Sequence, residues 1–217
     1  MKGKALVLGA VLLIGLAATP CFADSAVGSF FGTLSTAQPV GMGKGAFQAG
    51  VGVGDLTSFF GAFRYGFSEY TQGRLRLGMA DDDGVDASII FGADFMYQFW
   101  NVTPQTKNPI DMSFQGFLEY GDFDWFSVLE VGGAVVGSYP FKMSNGSVLS
   151  PYGRLNIRME KYSADSESPG VDTDDTNLEF GLNGGCHWQI TPTIGGFAEF
   201  QIGGNEGLFL GMDFLAM

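Results

Sequence analysis

The sequence predicts an all-β fold: an antiparallel up-and-down transmembrane β-barrel of ten strands. Three observations lead there. After residue 24, apolar residues recur with a period of two rather than 3.6. Most stretches with this pattern run 9 to 13 residues, which suits a tilted membrane strand of about 9 to 11 residues better than the roughly 5 to 6 of soluble sheets. Charged residues gather mid-strand on one face, while phenylalanine crowds the other. A soluble sandwich also alternates, because its apolar faces are buried between two sheets. It has no reason to collect charge at the middle of its strands.

Composition agrees. The 217 residues include 21 Phe and 34 Gly and are 46% hydrophobic, so the chain is no disordered acidic tail. Glycine is at roughly twice its usual share with no collagen period, which suits tight turns and crowded strands. Lys and Arg number 11 against 23 Asp and Glu, and the net charge of −12 argues against nucleic acid as a partner, since phosphates would be repelled.

Residues 1–23 read as a signal peptide: a basic start at Lys2 and Lys4, an apolar stretch from Ala5 to Ala18, a breaker at Pro20, small residues at Cys21 and Ala23, and cleavage before Asp24. The 14 apolar residues fall short of the ~20 a membrane-spanning helix needs. Lipidation of Cys21 is disfavoured because Pro20 stands where a small flexible residue belongs. Cleavage leaves one cysteine, Cys186, and therefore no intramolecular disulfide. It also removes two lysines, so 9 basic residues face 23 acidic ones and the mature charge is −14. Residues 24–43 show no alternation and read as a tail outside the barrel, which residues 44–217 form.

Strands are expected at 45–53, 57–67, 71–80, 87–99, 110–120, 123–137, 148–160, 177–188, 194–202 and 207–215. Turn chemistry separates them at Gly54-Asp55, Asp83-Gly84, Gly121-Asp122, Thr191-Pro192 and Gly203-Gly204-Asn205. In 57–67, Phe59, Phe63, Tyr65 and Phe67 oppose Ser58 and Arg64; in 87–99, Ile89, Phe91, Phe95 and Tyr97 oppose Ser88, Asp94 and Gln98. In 148–160, Leu155, Ile157 and Met159 oppose Arg154, Asn156, Arg158 and Glu160; in 177–188, Leu178, Phe180 and Trp188 oppose Glu179, Asn183 and His187. Asn145-Gly146 signals a hairpin. A separate strand at 138–143 would give an odd count, so the sixth strand is extended through it. Eight strands is the alternative count, should the weak first strand and a neighbour not cross.

All five arginines, Arg64, Arg74, Arg76, Arg154 and Arg158, fall on polar faces, with Asp94, Asp111, Glu119, Glu130, Glu179, Glu199 and Asp213. In a membrane barrel those faces line the lumen. Charges of both signs confined there are expected to pair, because an isolated buried charge costs far more than a hydrogen-bonded one.

The stretch Phe63-Arg-Tyr-Gly-Phe-Ser-Glu-Tyr-Thr-Gln-Gly-Arg-Leu-Arg-Leu-Gly78 and the closing strand Asn205-Glu-Gly-Leu-Phe-Leu-Gly-Met-Asp-Phe214 resemble small outer-membrane β-barrel proteins of diderm bacteria. The closing strand carries spaced hydrophobics like the assembly signal of such barrels, but the chain ends Leu215-Ala216-Met217 instead of on an aromatic. The resemblance implies a bacterial outer-membrane location, both termini and the 24–43 segment in the periplasm, and contacts with outer-membrane lipid, lipopolysaccharide and the barrel-assembly machinery. In that orientation the outer connections hold Asp55, Asp81, Asp82, Asp83, Asp86, Asp122, Asp165, Glu167, Asp172, Asp174, Asp175 and Glu206, while the inner ones hold Glu69, Lys107 and Lys142. The longest loop, Ser163 to Thr176, faces outside.

Catalytic chemistry is not expected. The single histidine, His187, lies beside the periplasmic turn at 189–193 and reads as a rim residue bonded to a neighbour such as Glu199. No cofactor is expected. The Asp81–Asp86 and Asp172–Asp175 clusters match no twelve-residue calcium loop, although weak surface Ca²⁺ or Mg²⁺ would let acidic loops approach anionic lipopolysaccharide. Cys186 reads as an inert lipid-facing residue. The expected role is structural or narrowly porin-like. The alternative is an adhesin-type binding barrel, and a surface hydrolase or a soluble secreted β-barrel ranks below both.

Overall fold

The computed structural model describes residues 29–82, 85–103, 108–123, 126–164 and 174–216, and contains no helix among them. The strands are β1 (Gly45–Gly54), β2 (Thr57–Gly66), β3 (Thr71–Asp82), β4 (Val85–Trp100), β5 (Asp111–Phe123), β6 (Phe126–Ser138), β7 (Phe141–Lys142), β8 (Val148–Ala164), β9 (Asp174–Gln189), β10 (Ile194–Ile202) and β11 (Gly207–Ala216). All neighbours pair antiparallel. β6 pairs with β8, and β1 pairs with β11 from Gly45↔Ala216 to Gly54↔Gly207, so the sheet closes on itself. The fold is an all-β up-and-down barrel with ten wall strands.

The two-residue β7 is not an eleventh crossing. Its rung Phe141↔Leu149 continues the register of Ser138↔Tyr152 between β6 and β8. The ladder is interrupted only where Pro140 and Pro151 fall, and proline has no N–H to donate. The sixth wall strand thus does run on through this stretch, with a gap. Gly146, at φ 85°, makes the following turn with the left-handed backbone that glycine tolerates.

Other boundaries move. β3, β4, β8 and β9 extend past their expected ends, so Asp81, Asp82, Asp86, Asp174 and Asp175 sit on strands rather than in loops. Gly121 and Asp122, expected as a turn, lie within β5, which runs to Phe123, and Phe123 pairs with Phe126. Asp83, Lys107, Asp165, Glu167, Asp172 and the 1–23 signal segment lie outside the described residues.

The two faces of the wall differ in chemistry. Phe59, Leu75, Phe91, Leu155, Phe180 and Phe214 are exposed outward, whereas their strand neighbours Arg64, Arg74, Asp94, Glu119, Arg158 and Asp213 are buried inside. Such a distribution would be unstable in water and suits hydrocarbon, where closed strand pairing leaves no unsatisfied backbone. Outward-pointing charges on the wall include Asp81, Asp122 and Lys161, all near the end that carries the β1–β2, β3–β4, β5–β6, β8–β9 and β10–β11 connections. This is the loop end; the opposite end, where β1 begins and β11 finishes, is the terminal end. Around the terminal end Tyr65, Tyr70, Tyr97, Trp100 and Trp188 are exposed, forming an aromatic girdle where ring and polar tip can straddle the interface.

Leu155→Arg or Phe91→Arg is therefore expected to cost roughly 2 to 4 kcal/mol near the bilayer midplane and to lower the yield of folded barrel. Leu155→Phe should be silent. The readout is the fraction of protein migrating faster unboiled than boiled on a detergent gel, and equal tolerance of all three would contradict lipid exposure of this face.

Candidate functional site

The lumen is the site, and it is not filled by wall side chains alone. Residues Ser29–Ala37 are all buried, with Phe30, Phe31 and Leu34 fully so. The segment expected as a periplasmic tail instead doubles back at a turn, where Lys44 N–H donates to Gly41 (3.2 Å), and runs up the inside of the barrel. Its ascent can be followed by its partners. Val40 N–H meets Gln72 (3.0 Å), Gln38 meets Asp111 (2.7 Å) and Ala37 N–H meets Ser138 (3.1 Å) near the terminal end. At mid-height, Thr33 and Leu34 N–H both donate to the Glu199 carboxylate, at 2.6 and 2.7 Å. Near the loop end, Phe30 N–H (2.9 Å) and the Ser29 hydroxyl (2.9 Å) meet Glu119, while Gln201 and Asn205 donate to the Ser29 carbonyl at 3.1 and 3.3 Å.

The physical reason is twofold. A tail carrying two phenylalanines and a leucine gains about 1.5 to 3 kcal/mol for each such side chain removed from water. The wall also offers inward apolar residues that receive it: Phe60, Ile90, Phe123, Val128, Phe197 and Phe209 form one buried cluster with Phe30, Phe31 and Leu34. The Phe31 ring lies edge-on to Phe60, with centroids 5.2 Å apart, and beneath the Arg76 guanidinium at 4.9 Å. Gly32 has φ 61°, and a Cβ there would come within 2.8 Å of Phe209, so only glycine fits.

The expected charge network is present but divided in its duties. Arg64 pairs with Asp213 (2.7 Å), Arg74 with Asp94 (2.7 Å), Arg76 with Asp94 (3.3 Å) and Glu119 (2.8 Å), and Arg158 with Glu160. Arg74 and Arg76 also serve the inner segment, donating to the carbonyls of Thr33 (2.7 Å) and Gly32 (2.9 Å). Glu199 has no ion pair among the described contacts; besides the two N–H groups it accepts from Tyr152 (2.6 Å) and Asn183 (2.8 Å). Arg154 packs over the Phe117 ring at 4.5 Å and reaches Asn183 at 3.4 Å. Asp111 accepts from Gln38 and from Val102 N–H (2.6 Å). Glu179 is half-buried opposite Arg158 in register. Glu130 stands between Glu119 and Glu160 in register, and neither of its oxygens has a hydrogen-bond partner among the described residues.

His187 is half-buried and meets Asp213 at 3.2 Å rather than Glu199, with its ring stacked on Phe197 at 4.2 Å. Among the described residues no group of three or more His, Cys, Asp or Glu is placed to hold a metal ion. A groove of about 670 Å³ between Phe63, Phe67, Leu75, Phe95 and Leu118 faces lipid, not lumen. The inner segment is what the sequence reading missed. Its signal was a run without a single charge from Ser25 to Gly43, in a chain so acidic elsewhere.

A closed wall, apolar outside and charged within, encloses this segment. The architecture is that of an outer-membrane β-barrel. No protein-family model matches the chain, and no curated protein does. Some solved structures are distantly similar to it. The N-terminal β-barrel domain of Pseudomonas aeruginosa OprF is 15% identical, over 81% of this chain and 99% of that one, with a TM-score of 0.40. The KdgM porin is 7% identical over 78% and 98%, with a TM-score of 0.38. The COG4313 outer membrane channel from Pseudomonas putida F1 is 11% identical over 89% and 99%, with a TM-score of 0.33. At these identities and TM-scores the likeness carries no argument, and the fold rests on the chain's own strand pairing.

Removing the carboxylate that holds the middle of the segment should destabilise the barrel. Glu199→Ala leaves the N–H groups of Thr33 and Leu34 buried without an acceptor, each costing about 1 to 3 kcal/mol. Glu199→Gln keeps one acceptor oxygen and should lose less. The temperature at which the fast-migrating folded band disappears should fall in the order wild type, Gln, Ala.

Proposed function

We propose that the chain is a structural barrel of the bacterial outer membrane, closed at rest by its own N-terminal segment and allowing at most narrow, porin-like passage once that segment withdraws. The observation that carries this reading is the burial of Ser29–Ala37 inside the wall, bonded to Glu119 on β5 and Glu199 on β10, two nearly opposite strands. Space is scarce to begin with. An eight-stranded barrel can be filled by side chains, ten strands enclose little more, and open aqueous channels are typical only at about 16 to 18. A peptide threaded through such an interior leaves no continuous water path.

The reading is non-enzymatic. Its support is that the one histidine is engaged by Asp213 and Phe197 near the terminal end. We assign the loop end to the cell exterior, because the strand extensions and turns there carry exposed acids such as Asp55, Asp175 and Glu206, while Lys142 is exposed at the other end. Acidic groups at that height would meet lipopolysaccharide through weakly held Ca²⁺ or Mg²⁺ ions. Outer-membrane lipid around the wall and the barrel-assembly machinery during insertion complete the proposed partners.

In planar bilayers the wild type should show negligible conductance, and deletion of residues 29–38 should raise it measurably in protein that still migrates as a folded barrel. Arg74→Ala combined with Arg154→Ala should raise it less. A large, steady wild-type current would overturn the closed reading. Orientation is tested separately. In a Cys186→Ala background, Asp55→Cys and Asp175→Cys should react with an impermeant thiol reagent on intact cells and Lys142→Cys should not; the reverse pattern would invert the assignment.

A further inference from the structure

We propose that the lumen is a peptide-binding site and that Ser29–Gln38 is its resident ligand: a segment recognised non-covalently, tethered to β1, and exchangeable for a free peptide of the same chemistry. The inference rests on the occupancy of the lumen and is independent of whether the emptied barrel conducts.

Two kinds of contact define what the site recognises. The first reads main chain. Glu119 and Glu199 accept from backbone N–H groups of the segment, while Arg74 and Arg76 donate to its carbonyls, and Gln48 does the same for Leu34 at 2.9 Å. Wall charges are thereby satisfied by peptide dipoles, so the ligand needs no charge of its own, and the resident has none.

The second kind reads side chains, and it uses inward glycines as pocket floors. Phe31 lies in a slot between Gly78 and Gly92, where an added Cβ would come within 3.0 and 2.9 Å of its ring. Phe30 covers Gly121 (3.1 Å by the same measure) and stacks toward Phe123 with centroids 5.9 Å apart. Leu34 covers Gly211 at 2.9 Å. Between the aromatic pair and the leucine, Gly32 passes Phe209 and Glu199 so closely that its hypothetical Cβ would sit 2.8 and 2.9 Å from them. The ligand class is therefore a neutral peptide with the pattern Phe-Phe-Gly-X-Leu that can take a left-handed backbone at its glycine and leucine.

The tether contributes little to this recognition. It is the turn at Gly41–Lys44, where Met42, Gly43 and Lys44 are exposed and a Cβ on Gly43 would meet nothing within 4 Å. Cutting there breaks into the turn's own hydrogen bonds, Lys44 N–H to Gly41 and Gly43 N–H to Gly66, but touches no contact made by Ser29–Gln38.

The test inserts a protease recognition sequence between Met42 and Gly43 of the full-length chain. The barrel is folded in detergent, checked by its faster unboiled migration, and only then cut, so no loss can come from a failure to fold. The freed N-terminal fragment should stay with the barrel, one per barrel, through gel filtration. A fluorescent synthetic peptide of Ser29–Gln38 in excess should then chase it out and take its place. Peptides with Gly32→Ala or Phe31→Ala should compete roughly tenfold or more weakly, the effect of losing about one well-made buried contact. Immediate departure of the fragment from the cut wild type, a fragment that no excess of peptide displaces, or equal competition by all three peptides would each overturn the proposal. A conducting wild type would contradict the closed reading above and leave this result standing, whereas a fragment lost on cutting would sink the binding site and leave a silent, tethered barrel possible.

Discussion

Inside a bilayer a β-sheet has nowhere to stop, since an edge N–H or C=O facing hydrocarbon costs several kcal/mol and finds no water. The β1–β11 seam removes both edges at once. On its inner face β1 offers glycines, Gly50 opposite Gly211 and Gly52 opposite the large ring of Phe209. A Cβ on Gly50 would meet the Phe60 ring at 2.4 Å, so the first strand pays for its weak alternation by leaving room for large rings from its neighbours. Once the seam exists, parity does the rest: one face meets lipid, the other has only the lumen.

That confinement explains why the interior holds two kinds of polar solution side by side. Arg64–Asp213 and Arg74–Asp94 cancel charge directly across the wall. Buried ion pairs are weak evidence for stability, because desolvation offsets most of their attraction. Hydrogen bonds to the inner segment contribute only about 0.5 to 1.5 kcal/mol net each. The apolar side chains Phe30, Phe31 and Leu34, at about 1.5 to 3 kcal/mol each, contribute to the segment's hold on the same scale as its hydrogen bonds taken together. Glu199, Glu119, Arg74 and Arg76 then fix its register, because each would be left buried and underbonded if the segment slipped by a residue.

The wall was legible because lipid imposes a period-two pattern that survives turn-by-turn variation. Phe91, Phe95 and Leu155 name the lipid face without help from tertiary structure, and the arginines name the lumen. Ends of strands were not legible: Asp81, Asp82 and Asp174 read as loop residues, yet beyond the membrane a hairpin pairs in water as readily as inside it. The inner segment was hidden for a different reason. Its conformation is irregular, with Gly32 and Leu34 at φ 61° and 39°, so no periodicity announces it. Its counterpart on the wall was also disguised, since Phe60, Ile90 and Phe209 look like lapses in alternation until Phe31 and Leu34 are seen against them. His187 was placed on the correct face and rim but given the wrong partner, because Gly195 of β10 leaves room for the β9 ring to reach over it to Asp213 of β11.

The segment enclosed by the wall precedes β1 directly and lies within a ring of continuous backbone pairing. Nothing can enter such a ring sideways after it has shut. Either the first and last strands zip together around a chain already lying between them, or the segment feeds in endwise from the terminal opening, hairpin turn last. In the first case the segment is a mandrel, an apolar rod on which the curling sheet condenses before its edges meet, and barrel closure and lumen filling are one cooperative event. In the second the empty cylinder exists for a time on its own. The order of these two steps decides whether the newborn barrel ever passes through a leaky stage.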